Sequence, residues 1–404
     1  MRAGKMLKRF YRLLLAAALL VTVLSPATLQ AQDGITVSKN TVVVGFPTSI
    51  AFSLAAASDS EITDIRLHYT TNRKSFAQVT SEVYIDFASS NDVDIYWSLD
   101  MTQMGGLPPG ITIDYWWTLT DADGNQLQTE TVRINYDDNR HDWKSLVQGD
   151  ITLYWYNGDQ AFAAELMTTA QAALVRLQED TGAHLTQAID FYIYASAEDL
   201  RASMINSSEW TGGVAFTRYN TISIGIASYN LAWGKRAIIH ELAHMVTHQM
   251  TFNPYSDLPT WLNEGLSMYA EGELEALYQS VLRTAIAQGT LISVRGLSSP
   301  FSTFTTLSYQ SYAQSYSLVD YLVSEYGQSK MFELLSTFKN GASNDGAFLS
   351  VYGFDLDGLN SLWRDYVMAG DSLYINVALA ILIVLVTGGF TITVFWLWWR
   401  PHRA

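Results

Sequence analysis

From Ile375 to Trp399 the chain carries no Asp, Glu, Lys or Arg. At 1.5 Å of rise per residue such a run makes about 37 Å of helix, enough to span a bilayer with tilt. Tyr374 at one end and Trp396, Trp398 and Trp399 at the other suit the two interfaces, and Arg400 and Arg403 follow on the side expected to stay cytoplasmic. The expectation is one transmembrane helix over 375–399 and a cytoplasmic tail over 400–404. The N-terminus complements it. Arg2, Lys5, Lys8, Arg9 and Arg12, with no acidic residue among them, precede the apolar run Leu13–Leu24, and small residues then lead to Ala31. That order reads as a signal peptide over 1–31, because the apolar run is shorter than the ~20 residues of a spanning helix. Everything between the two segments is expected to fold outside the cytoplasm.

The exported part is strongly acidic. With the seven terminal basic residues set aside, 17 Lys and Arg face 39 Asp and Glu, a net charge of about −22. A field of that sign repels nucleic acid, which is excluded as an expected partner. The chain has no cysteine, so it is held by its apolar cores alone, and an exported chain of that kind points to a bacterial host. Aromatic residues make up 13% and hydrophobic residues 49% of the chain, which rules out disorder.

Two textures fill the middle. Residues 33–137 hold short alternating or β-branched runs at 41–44, 49–54, 62–69, 82–87, 94–99, 112–120 and 126–134. Turn signals separate them, among them Asp121–Asn125. This spacing predicts an all-β, immunoglobulin- or fibronectin-like sandwich in which His68 is structural. A polar linker over 137–142 follows. Strand patterns at 151–156, 191–195 and 221–226, a helical pattern over 160–180 and mostly helical patterns from Lys235 onward predict an α+β domain over 145–368.

The chemistry concentrates in two runs. His240-Glu241-Leu242-Ala243-His244 lies inside an uninterrupted helical pattern. Residues four apart share one helix face, so His240 and His244 can present two imidazoles to one metal ion, with Glu241 leaning toward a metal-bound water as proton acceptor. Downstream, Trp261-Leu262-Asn263-Glu264-Gly265-Leu266 sets one carboxylate in an apolar run. A buried carboxylate is costly without a compensating charge, and a metal at Glu264 supplies one. His240, His244 and Glu264 then form a His₂Glu set with one position left for water. The competing reading makes Glu264 a helix-start carboxylate satisfied by backbone N–H groups. His248 lies about 12 Å of helix rise from His240, too far to be a third histidine ligand. It is read as a neighbour in the cleft or a structural residue. Glu271, Glu273 and Glu275 are read as a solvated helix face.

With both motifs in view, the sequence resembles the gluzincin metallopeptidases, and among them the bacterial peptidase MA-like domains, over 145–368. The resemblance implies a Zn²⁺ cofactor on His240, His244 and Glu264, Glu241 as general base, and a peptide or protein substrate. It also implies a tyrosine that stabilises the oxyanion, for which Tyr312 is the candidate and Tyr309 and Tyr316 are rivals. Two departures stand out. Relatives of the thermolysin type carry an aspartate four residues after the third ligand, where this chain has Met268, so the residue that orients His240 or His244 is open. The strand that grips a free amino terminus in membrane aminopeptidases corresponds to Gly212–Phe216, which has no carboxylate, and this favours internal cleavage. That segment or Thr221–Ile226 is expected to be the sheet edge above the zinc helix.

The expected function is a membrane-anchored, extracytoplasmic zinc metallopeptidase, an endopeptidase. Its alternative is a catalytically inactive surface-binding protein on the same scaffold, and a zinc hydrolase of some non-peptide bond is a third reading. Oligomeric state is not legible in the sequence.

Overall fold

Period-two alternation shapes the first half of the chain. In the computed structural model, which describes residues 34–103, 105–205, 212–302 and 304–369, Ile111, Ile113, Tyr115, Trp117 and Leu119 all point inward from one strand. The predicted signal peptide, transmembrane helix and cytoplasmic tail lie outside the described residues. Among the described residues no helix is long and apolar enough to cross a membrane. The chain divides into two units, one built from residues through Asn72 with Ala77–Asp138, the other from Arg73–Phe76 and the residues from Asn139 onward.

The first unit forms sandwich-like antiparallel sheets from β1 (Thr36–Gly45), β2 (Ser49–Thr71), β3 (Ser81–Tyr84), β4 (Ser90–Asp100), β5 (Ile111–Asp121), β6 (Gln126–Gln128) and β7 (Val132–Tyr136). Two expected strands, 49–54 and 62–69, are one. The polar run between them reads as a turn, yet the chain stays extended through it and exchanges neighbours. The first half of β2 pairs with β1 and β4, the second with β3 and β5, and register shifts near Ala57–Ile62 mark the crossover. The opposite correction applies to 126–134, which breaks into β6 and β7. His68 lies on β2 with its ring stacked on Trp116 and Nε2 2.9 Å from Thr118 Oγ1.

The second unit is a five-stranded sheet covered by helices. Its strands are β8 (Lys144–Gln148), β9 (Ile151–Trp155), β10 (Ile189–Tyr194), β11 (Gly213–Phe216) and β12 (Thr221–Gly225), in the order β11-β12-β10-β9-β8. The three inner strands run parallel, and both edges are antiparallel. The edge is thus Gly213–Phe216, whereas β12 is interior and entirely buried. Helices α1 (Gln160–Thr181), α2 (Ala197–Ala202), α3 (Leu231–Thr251), α4 (Thr260–Glu271), α5 (Ala276–Gln288), α6 (Val294–Leu297), α7 (Thr305–Tyr326), α8 (Gln328–Lys339) and α9 (Asn344–Tyr352) follow in turn. A last helix, α10, runs over 356–369. The start of α1 is set by Asp159, whose side chain accepts the Phe162 N–H, and its end by Gly182 at φ 70°. One continuous core joins sheet and helices, with Trp155, Trp261 and Trp363 fully buried in it.

Candidate metal centre

Helix α3 divides its residues by face. Ile238, Leu242, Met245 and Val246 are wholly buried in the core, a spacing of three and four that makes one stripe. His240, Glu241, His244 and His248 lie on the other side and line a cleft. Helix α4 repeats the division, with Trp261, Leu262 and Leu266 buried and Glu264 facing the same cleft. Gly265 explains how closely α4 can approach its neighbour. A Cβ there would stand 2.4 Å from the Ser315 carbonyl oxygen of α7, an overlap no side chain tolerates.

The helices bring three donor atoms together. His240 Nε2 and His244 Nε2 are 3.2 Å apart, and Glu264 Oε2 is 3.6 Å from the first and 3.5 Å from the second. A tetrahedral zinc ion with bonds of roughly 2.0–2.1 Å separates its ligands by about 3.4 Å. The triangle fits. Glu264 Oε2 is buried and has no hydrogen-bond partner among the described residues, an expense that a bound cation removes. Glu264 is the fifth residue of α4, so the helix-start reading of its carboxylate is overturned.

Electrostatics agree with a site built for positive charge. Burial disfavours the imidazolium of His240, but Glu264 and Glu271 beside it outweigh burial and raise it to about 10. His244 is raised in the same way, chiefly by Glu264 acting against burial. Burial also works against the charge on Glu264, which the two histidines nonetheless hold well below the usual carboxylate range. Glu241 is raised, first by burial, and accepts a hydrogen bond from the Ala215 backbone. Gly213 allows β11 to pass this close, since a Cβ there would lie 2.7 Å from Glu241 Oε1.

The cleft has two lobes, of about 460 and 450 Å³, that share Gly213, Val214, His240, Glu241 and Tyr312. One continues past Arg218, His248, Phe252 and Asp257, the other past Trp233, Arg236, Met268 and Tyr278. Tyr312, on α7, therefore sits between the lobes, and burial together with the nearby Glu264 charge raises its phenol. Tyr309 packs edge-on against Tyr278, Tyr316 packs at a tilt against Tyr269, and neither lines the cleft. His248 lines the cleft but stays outside the three-residue group, its ring beside Phe252 and its pKa pushed down to about 4 by burial.

Three contacts escape the sequence reading. Glu271 is not on a solvated face: its side chain is 11% exposed and Oε1 lies 2.7 Å from His240 Nδ1. Arg236 donates to Glu271 Oε2 through Nε at 3.0 Å and Nη2 at 2.6 Å. Ser267 Oγ meets His244 Nδ1 at 3.0 Å and donates to the Asn263 carbonyl at 3.2 Å. The signals were present as spacing. Glu271 follows Glu264 by seven residues, two helical turns on one face, and Arg236 precedes His240 by four.

Comparison with curated proteins gives no match. Among solved structures, an M1 zinc metallopeptidase from Deinococcus radiodurans is 13% identical with a TM-score of 0.35, the alignment covering 82% of this chain and 94% of that one. An aminopeptidase N family protein from Idiomarina loihiensis is 13% identical with a TM-score of 0.38, covering 77% and 72%. OgpA from Akkermansia muciniphila is 12% identical with a TM-score of 0.20, and the chain spans only 31% of its length while 28% of this chain is covered. The region that carries both histidines, Glu241, Glu264, Glu271 and Tyr312, residues 169–369, matches the family model described as the Peptidase MA superfamily, and the second unit thus has a peptidase-type scaffold.

Proposed function

We propose that the chain is a zinc-dependent metallopeptidase of the gluzincin type that cleaves peptide bonds within a peptide or protein, held by its C-terminal segment at the outer face of a membrane. The single observation that carries this reading is the triangle of His240 Nε2, His244 Nε2 and the unpartnered Glu264 Oε2, with edges of 3.2, 3.5 and 3.6 Å. Zinc held by these residues would supply a Lewis acid that polarises the scissile carbonyl.

The chain's own residues do the rest. β11 is a sheet edge, and an extended substrate adding to it as a further strand is carried past Glu241 and Tyr312 through both lobes. Space on both sides of the donor triangle supports internal cleavage. Glu241 takes the proton from the attacking water and delivers it to the leaving amine. Its raised pKa suits the first transfer, since a base that binds its proton more firmly is the better acceptor. Tyr312, kept protonated by its burial and by the Glu264 charge, donates to the oxygen on which negative charge develops.

The test is metal analysis and peptide-library digestion of the purified full chain in detergent, beside Glu241→Gln. About one zinc per chain in both proteins and cleavage by the parent alone are expected. A parent that binds zinc but cuts nothing in the library overturns the peptidase reading in favour of a binding protein.

A further inference from the structure

The two lobes of the cleft differ in charge. In the lobe past Trp233, Arg236 is bonded to both Glu271 and Glu275, so the negative charge there exceeds the positive. In the lobe past Phe252 the balance is reversed. Arg218 stands 3.9 Å from Asp257, which lies largely in water and so screens little of the guanidinium charge. Lys74, beside it, is flanked by Lys339 and has no carboxylate in ion-pair range among the described residues. Resting on the peptidase reading, we infer that this lobe holds an acidic side chain of the substrate, with Arg218 and Lys74 as the residues that select it.

An aromatic ring holds both cations in place. Lys74 Nζ lies 4.9 Å and the Arg218 guanidinium carbon 5.6 Å from the centre of the Phe252 ring. A ring face attracts a cation through its quadrupole but carries no net charge, so both heads keep their charge and their N–H donors for a ligand. Phe252 is itself fixed, stacked on Phe76 at 4.4 Å and 12°. Lys74 and Phe76 belong to Arg73–Phe76, a segment of the second unit, and the Lys74 N–H donates to the Arg218 carbonyl at 2.7 Å.

Burial lowers the Lys74 ammonium and Lys339 adds to the effect, so this cation is short of both solvent and counter-charge. The field reaches into the lobe. His248, which lines it, is kept neutral chiefly by burial, with Asp257 opposing and Lys74 and Arg218 adding to the effect. On a chain of net charge −15 this is a local reversal of sign, and selection between ligands follows such local fields. Arg218 lies three residues beyond Ala215, whose backbone bonds Glu241, or about 10 Å of extended chain. A substrate strand laid on β11 therefore brings its second or third residue from the cut bond to the two cations.

The test uses the full chain in detergent and end-blocked peptides identical except for Glu, Gln or Lys at one position, moved in turn along the sequence. Each protein is scored by the ratio of kcat/KM for the Glu peptide to that for the Gln peptide, which does not depend on how much of a preparation is folded. The parent is expected to favour Glu over Gln about tenfold on one side of the cut, with Lys poorer still. Molar salt should bring that ratio toward unity. Arg218→Gln and Lys74→Met should each leave about a threefold preference, and the two together less than about twofold. Arg218→Glu should reverse the order and favour Lys. A merely structural role would lower the Glu and Gln rates together and leave their ratio alone. A parental ratio near unity at every position, or the parental ratio retained in the double variant, overturns the inference. A parent that cuts none of the peptides overturns the peptidase reading instead, and anisotropy of the same peptides, fluorescently labelled, then decides this one. Tighter binding of a Glu peptide that the double variant loses supports it, and equal binding of the Glu and Gln peptides overturns it.

Discussion

Each unit of the molecule shelters a carboxylate, and the two are treated in opposite ways. Asp121, 2% exposed at the end of β5, accepts from Asp123 N at 3.1 Å, Asn125 N at 2.9 Å, Asn125 Nδ2 at 2.9 Å and Ser58 Oγ at 2.8 Å. Burial works against its charge, but Asn125 and Ser58 outweigh burial and hold it at about 2. Glu264 has two imidazoles at 3.5 and 3.6 Å and, among the described residues, an oxygen with no hydrogen-bond partner. A carboxylate that serves folding is saturated by the chain itself. One that serves a ligand is left with its valence open, and the surrounding fold bears the cost.

The contrast can be broken by substitution. Glu264→Gln is expected to abolish zinc retention and lower hydrolysis at least about 10³-fold, with only a small change in the unfolding midpoint of the metal-free chain, because the burial cost of the carboxylate offsets its attraction to the two histidines. A large fall in that midpoint would mean that Glu264 also serves folding, and the distinction would collapse. A smaller effect is expected for Tyr312→Phe, which keeps the ring and removes only the hydroxyl. Its kcat should drop about 10²-fold with KM nearly constant, read by steady-state kinetics. An unaltered kcat would assign Tyr312 to packing alone. The smallest effect on hydrolysis is expected at the other carboxylate. Asp121→Ala should lower the unfolding midpoint of the first unit by about 5–10 °C, because four donors lose their acceptor, and change kcat/KM less than about twofold. Calorimetry and kinetics on one preparation check both halves of that expectation.

How much of this was legible beforehand follows the same division. That His240, Glu241, His244 and Glu264 would come together in one cleft was readable because the proposed metal chemistry demands particular residue types and the helix fixes the spacing of the first three. The sheet edge was readable only as one of two segments, since sequence carries no record of which strand is left without an outer neighbour. Glu271 was missed because a carboxylate among Glu271, Glu273 and Glu275 looks like solvated surface until the position of α3 is known. Ser267 was hidden for the same reason. In the first unit, the long β2 was read as two strands because Ser58–Glu61 has the composition of a turn. The ladder there is set by β1, β4, β3 and β5, partners remote in sequence.

Gly265 stands next to Glu264 and against the backbone of α7, with a would-be Cβ 2.4 Å from the Ser315 oxygen. Any bulkier residue at that point acts as a wedge, and the prying motion is transmitted at once to the adjacent ligand. Under the proposed function, tolerance to variation and activity are therefore yoked at one position. A genetic screen would record changes there as loss of activity even though the altered side chain does not line the cleft.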